Sequence, residues 1–513
     1  MRLRLIKLLS LLLAAAMIFS GCEAEPVPPP AEEVIPPAEN SEPEEITDGE
    51  PFSLRIPFDY EEGASPYNAI SKSNRFVCEL IYRSMVSLKS DYSWELDLLS
   101  EIYTEDNVTW FLYVEEDSFF PDGTEFTAYD LRYSFQQAMK EGSYYAKNLD
   151  IVSSMKVMDA SCLRVTLHYA NRYFPNLLTF PVISFETIDN PKYFTDRYYF
   201  SEDGKHLICD VYSAAQEIEL VPAEDMDLLT YEMRMGRYDC IYVTDPMDLG
   251  SSSNGATMGM QSNRMVYLGM NSSSAFTYYA DFRRAVSCAM DYNRIATDIY
   301  GHFASAPKKI YNPDFYEMQY ISKNSLDFMS ANLILDDMKL SGRDEEGFRT
   351  NSRGKRISLK LIVCNESTVK TNLAYAVAEM LAEVGIEVRV EPLSYVSFMT
   401  ALRNYDYDLY IAEMRLGPDM DFTSILTPYE YQFPDFEYIN YGMPNSEKLY
   451  LSWLGFMAGT VTPSEFASTF EDVTPFVPLC YTKGCTIFNR DLTFAMFGTD
   501  FDMFYNILEW KFE

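Results

Sequence analysis

Between Ile357 and Val390 the hydrophobic period changes from two to 3.6 and back to two. Ile357, Leu359, Leu361 and Val363 alternate as in a strand. From Val369 to Val384, the residues Ala374, Val377, Leu381 and Val384 share one helical stripe. Gly385 follows, where a helix end often needs positive φ, and Ile386, Val388 and Val390 resume the alternation. A strand, a helix and a strand in so short a stretch predict a β-α-β unit, with parallel strands joined by a right-handed crossover. Residues 407–414 read as a further strand, so the expected fold class is α/β with mixed sheets.

The N-terminal half carries a second pattern. Val108, Trp110, Leu112 and Val114 alternate, Pro121-Asp122-Gly123 forms a turn, and Thr127 stands three residues before Asp130 as a capping box would require. Leu131, Phe135, Ala138 and Met139 then supply a helix's apolar face. Asp281 and Asp291 read as caps of two later helices.

The chain has 513 residues, of which 47% are hydrophobic, enough for two or three lobes rather than one core. Its formal charge of −36 repels nucleic acid and anionic lipid headgroups, so neither is an expected partner.

The N-terminus points to export. Arg2, Arg4 and Lys7 precede an apolar run from Leu8 to Phe19, which is too short to span a bilayer and fits a signal peptide. Phe19-Ser20-Gly21-Cys22 resembles a bacterial lipobox, in which Cys22 is lipidated. The expected location is therefore the cell membrane, lipid-anchored on its extracellular or periplasmic face. Residues 22–51 are rich in proline and glutamate, lack Lys and Arg, and read as a disordered tether. Eight more cysteines are scattered downstream, and their pairing is open.

Catalytic signatures are missing. His168, His206 and His302 are far apart, and no HExxH, CxxC, P-loop, GxGxxG or GxSxG motif accompanies them. No enzyme activity, metal site or cofactor is expected.

The stretch from Phe120 to Phe135, FPDGTEFTAYDLRYSF, resembles a block of the family 5 extracellular solute-binding proteins, the peptide-binding components of bacterial ABC importers. Ser65-Pro66-Tyr67, Leu80-Ile81-Tyr82, Gly236-Arg237-Tyr238-Asp239, Asn271, Asp281 to Ala285, Met290-Asp291, Val384-Gly385-Ile386, Tyr407-Asp408, Pro475 and Pro478-Leu479 are similar to further blocks in the same order. The resemblance implies a two-lobe periplasmic-binding-protein fold, the Venus flytrap, with an extra subdomain in its N-terminal lobe. Lobe I would comprise residues 52–75, 176–264 and 474–513, the subdomain 76–175, and lobe II 265–473, after a signal peptide at 1–21. It further implies a monomer that captures a small peptide or similar amine-bearing solute and delivers it to ABC permease subunits. A ligand-free sensory or scaffold lipoprotein, or a binder of oligosaccharide or another non-peptide solute, is the alternative.

By the same resemblance Asp419, then Asp421, would receive a peptide's α-ammonium, and Tyr395, Tyr481 and Tyr145 would be cleft aromatics. Glu62 to Ser65 would line the cleft with backbone groups. Arg415 either balances the carboxylates, binds a ligand carboxylate or makes a structural ion pair. Two departures stand out: Asp196 to Phe200 replaces a glycine-rich turn, and no tryptophan precedes Asp419.

Overall fold

The structure, a computed structural model, describes residues 53–115, 117–185, 198–210, 215–223, 225, 228–246, 256–432, 436–488, 492–493 and 498–512. The expected signal peptide, Cys22 and the tether lie outside them, as do Asp196 and Arg197.

A seven-stranded mixed sheet organises the chain. Its order is Cys240–Val243, Phe476–Phe488, Ala256–Met270, Leu409–Arg415, Ser358–Cys364 and Glu387–Leu393, with Ala304–Ser305 also paired to Phe476–Phe488. The β-α-β unit is present as expected. Ser358–Cys364 and Glu387–Leu393 are parallel, Leu359 facing Val388, and the helix Thr368–Glu383 connects them. Ser367 caps that helix by accepting from the Lys370 amide, and Gly385 beyond its end has φ +85°. Successive side chains of a strand face opposite sides, and here both sides are covered. Leu361 and Val363 join Val377, Leu381, Val266 and Leu268 in one core cluster, whereas Ile362 joins Met265, Tyr267 and Tyr410 in another. Strands buried on both faces read as apolar runs, which Leu361-Ile362-Val363 illustrates. Gly269 lets the Tyr410 ring lie flat on the neighbouring strand, because a Cβ there would stand 2.0 Å from the ring.

Two long antiparallel strands carry the chain between two halves. Ala256 is opposite Phe488 at one end and Gly269 opposite Phe476 at the other, with a break in register between Met260 and Arg264. On one side of the break, Met260 and Phe488 pack with Leu54, Ile56 and Phe76. On the other, Val266, Leu268, Val477 and Leu479 pack with the β-α-β unit. A four-stranded sheet, Ser53–Phe58, Glu217–Pro222, His206–Ile208 and Tyr199–Phe200, lies with the first half.

The expected strand, turn and helix of the N-terminal half form around a separate core. Leu99–Thr104, Thr109–Val114, Cys162–Leu167 and Val152–Val157 make an antiparallel sheet, against which the helix Ala128–Ala138 packs Leu131 and Phe135. The Thr127–Asp130 capping box is formed, with the Thr127 amide donating to Asp130 at 2.8 Å. Asp291 also caps as expected, accepting from the Arg294 amide at 3.0 Å. Asp281 does not cap. It lies inside the first turn of Ala280–Cys288, whose cap position is Tyr279, and its carboxylate pairs with Arg284. The eight cysteines after Cys22 are all unpaired thiols. Among the described residues no helix is long and apolar enough to cross a membrane.

Candidate functional site

The strand Leu409–Arg415 ends in a loop whose backbone is tied down from elsewhere in the chain. The Leu416 amide donates to the Asn263 carbonyl at 2.9 Å, and the Asn263 side chain donates to the Gly417 carbonyl at 2.6 Å. Asn176 donates to the Pro418 carbonyl at 2.9 Å. Met420 turns the chain with φ +52°, a conformation rare outside glycine. This loop presents Asp419 and Asp421.

Asp419 is 4% exposed and accepts one side-chain hydrogen bond, from Asn171 Nδ2 at 2.7 Å. Asp421 accepts from the Thr423 amide at 2.7 Å, the Thr423 hydroxyl at 2.5 Å and the Tyr169 hydroxyl at 2.8 Å. Burial, then the neighbouring charge of Asp421, pushes the Asp419 carboxyl up to about 7. Burial raises Asp421 as well, against the pull of its Thr423 and Tyr169 donors. Among the described residues neither carboxylate has an ion-pair partner. A buried and a half-buried acid that share a site and lack a cation resist ionising together.

They face a cavity of about 440 Å³, also lined by Tyr144, Lys147, Asp150, Glu413, Arg415 and Glu437. Arg415 is already engaged. Its Nη2 lies 2.8 Å from the Tyr144 hydroxyl and 3.2 Å from Asp500, a carboxylate that Lys72 and Tyr242 also contact. Arg415 thus makes a structural ion pair while its side chain also lines the cavity. Glu413 lines a second cavity too, of about 210 Å³, beside Arg264, Lys370, Lys483 and the start of the helix Thr368–Glu383. Arg264 and Lys370 stand 3.6 and 3.2 Å from Glu413. Asp245 and Glu366 line it as well, and Arg264 also pairs with Asp245 at 3.0 Å, so three cations there meet three carboxylates.

The structure brings Asp419, Asp421 and Arg415 together and places the other expected residues outside this cavity. Tyr395 begins the helix Tyr395–Arg403 and is 55% exposed. Tyr481 is a core residue, 1% exposed, donating to the Ile310 carbonyl at 2.7 Å. Tyr145 is buried against Tyr67 and Phe180, and it is its neighbour Tyr144 that reaches the cavity. Glu62 accepts from the Ser71 amide at the start of the helix Lys72–Ile81, and the Ser65 carbonyl accepts from the Cys78 thiol. Both are local structural bonds. Tyr169 and Asn171 were not expected. They precede the acids by 252 and 248 positions and sit in no motif, so only the folded chain reveals them.

Two halves joined by paired strands, with an acid-lined cavity at the end of one strand, define a binding protein of the two-lobe periplasmic type. The sequence profile of the bacterial extracellular solute-binding proteins, family 5, matches residues 94–209 and 213–432. The chain belongs to that family, whose members are transport binding proteins of ABC importers and not enzymes. No curated protein matches the chain in sequence. Among solved structures, an ABC transporter substrate-binding protein from Sinorhizobium meliloti is 16% identical with a TM-score of 0.70, covering 90% of this chain and 100% of its own. NikA from Brucella suis, in complex with Fe(III)-EDTA, is 15% identical with a TM-score of 0.64 over 90% and 100%. The oligopeptide-binding protein AppA from Bacillus subtilis, in complex with a nonapeptide, is 14% identical with a TM-score of 0.54 over 90% and 99%. At these identities the likeness establishes the fold alone.

Proposed function

We propose that this chain captures a short peptide or a similar amine-bearing solute between its two lobes and passes it to an ABC permease. One observation carries the reading: Asp419 is buried and Asp421 half-buried, neither carries a cation of its own among the described residues, and both face a cavity of about 440 Å³. A buried carboxylate is costly unless paired. An incoming ammonium supplies the missing charge and forms charge-assisted hydrogen bonds, which are about twice as strong as neutral ones. The peptide bound to AppA is in keeping with this reading.

A lobe boundary near residue 264 is in keeping with the register break between Met260 and Arg264, and Asp419 and Asp421 are the site residues we retain. The Phe19 to Cys22 pattern supports a lipid anchor on Cys22, and the chain would act as a monomer. Incorporation of radiolabelled fatty acid that Cys22→Ser abolishes would establish the anchor. Native mass spectrometry and calorimetry with tripeptides test the ligand. Equal affinity for a free-amine tripeptide and its N-acetyl form would reject the ammonium role.

A further inference from the structure

The two acids stand on one loop, yet two of their donors reach them from another part of the fold. Asp421 Oδ1 is satisfied locally, by the Thr423 amide and hydroxyl, but its Oδ2 is held by Tyr169. Asp419 Oδ2 is held by Asn171. Asn171 is itself aimed: its Oδ1 accepts from the Tyr173 amide at 2.9 Å, and its own amide donates to the Asn107 carbonyl at 2.8 Å. Tyr173 is anchored in turn by an edge-on contact with Phe315 at 5.0 Å and by its hydroxyl's bond to Glu317 at 2.6 Å. The segment bearing Tyr169 and Asn171 therefore docks on the acid loop as a shaped wall.

We propose that Tyr169 and Asn171 are positioning residues for the ligand's ammonium, Tyr169 from the cavity lining and Asn171 from the buried side of Asp419, each holding a carboxylate from outside the acid loop. The inference rests on the ammonium reading above. A neutral donor stabilises an ionised carboxylate without neutralising it, so it shifts the acid pair towards the charged form that a cation needs. Take the donors away and each acid keeps its burial and its twin's repulsion. It then holds its proton to higher pH and offers the ammonium a neutral group. The acceptor strength of the site is thereby tied to the two walls being together.

Other charged groups also face the pair. Lys147 and Arg415 favour the ionised forms, Asp150, Glu413 and Glu437 oppose them, and Tyr450 lies near Asp421. None of these changes in a Tyr169 or Asn171 variant, so a displaced pH profile reports on the two donors.

The test is calorimetry between pH 5.5 and 8.5 on the wild type, Tyr169→Phe and Asn171→Ser, titrated with trialanine and N-acetyl-trialanine. Tyr169→Phe removes one oxygen and guards against a folding defect in the Asn171 variant. Each variant should bind trialanine roughly tenfold or more weakly at neutral pH. The acid limb of its pH profile should move up by about one unit. Variants that bind as the wild type does, or that lose affinity equally at every pH, would overturn the positioning role while leaving the ammonium reading intact. A wild type that fails to prefer trialanine over its N-acetyl form would overturn both.

Discussion

Replacing Asp419 with asparagine separates the two consequences of burying a charge. The substitution keeps the shape and keeps an oxygen for Asn171 Nδ2, now 2.7 Å from the carboxylate, so the wall need not move. What is lost is attraction for an ammonium, about 4 kcal/mol for unit charges roughly 4 Å apart at an effective dielectric of about 20. Part of that attraction is already offset in the wild type. Its carboxyl is pushed up to about 7, so about half of it holds the proton at pH 7, which costs roughly 0.4 kcal/mol. The net loss is then about 3.5 kcal/mol, a fall in affinity on the order of several hundredfold. Stability should change in the opposite direction. The neutral amide would remove a buried charge and relieve Asp421, so the ligand-free Asp419→Asn variant should melt no lower than the wild type at pH 7.5. Calorimetry with a free-amine tripeptide and thermal unfolding check both halves. Affinity within twofold of the wild type, or a clearly lower melting temperature, would refute the reasoning.

The pH dependence follows from the same pair. Both acids have native pKa values above those of the unfolded chain. The native state therefore takes up protons first as pH falls from about 7 towards 4, and ligand-free stability should rise through that window, while ligand affinity falls by up to about tenfold per unit; urea unfolding and calorimetry at pH 5 and 7.5 would expose the reverse slopes. Asp500→Asn leaves Lys72 and Arg415 without the carboxylate they share, Asp500 being 3% exposed, and should cost about 3 kcal/mol or more in urea unfolding. A loss below 1 kcal/mol would mean that water compensates the two cations. Gly417→Ala would place a Cβ 2.5 Å from Asp419 Oδ1. The strain of about 1–3 kcal/mol must displace that carboxylate. Tripeptide affinity should drop about tenfold or more, and unchanged binding would show that Asp419 can move freely.

Some of this protein was legible in its residues alone. The period switch between Ile357 and Val390 was enough for the β-α-β unit, because a strand and a helix bury side chains at different spacings and each leaves its own pattern. The Thr127–Asp130 box and the Asp291 cap were equally local, since the atoms that bond lie within three residues. Asp281 misled for the same local reason: a carboxylate near a helix start reads as a cap, but which residue leaves helical geometry first is decided by the packing of the preceding chain. Asp419 and Asp421 were reached through family resemblance, and Tyr395 and Tyr481 came by the same route. Nothing local distinguishes a tyrosine that lines a cavity from one in the core or at the surface. That distinction is a matter of which distant segments meet. The tertiary structure alone brings Tyr169 and Asn171 to the acids, ties Arg415 to Asp500, and buries Asp419 beside a half-buried Asp421. Local spacing encodes the elements and their faces; the charge state of a site depends on burial and on partners hundreds of residues away, which no short window of sequence contains.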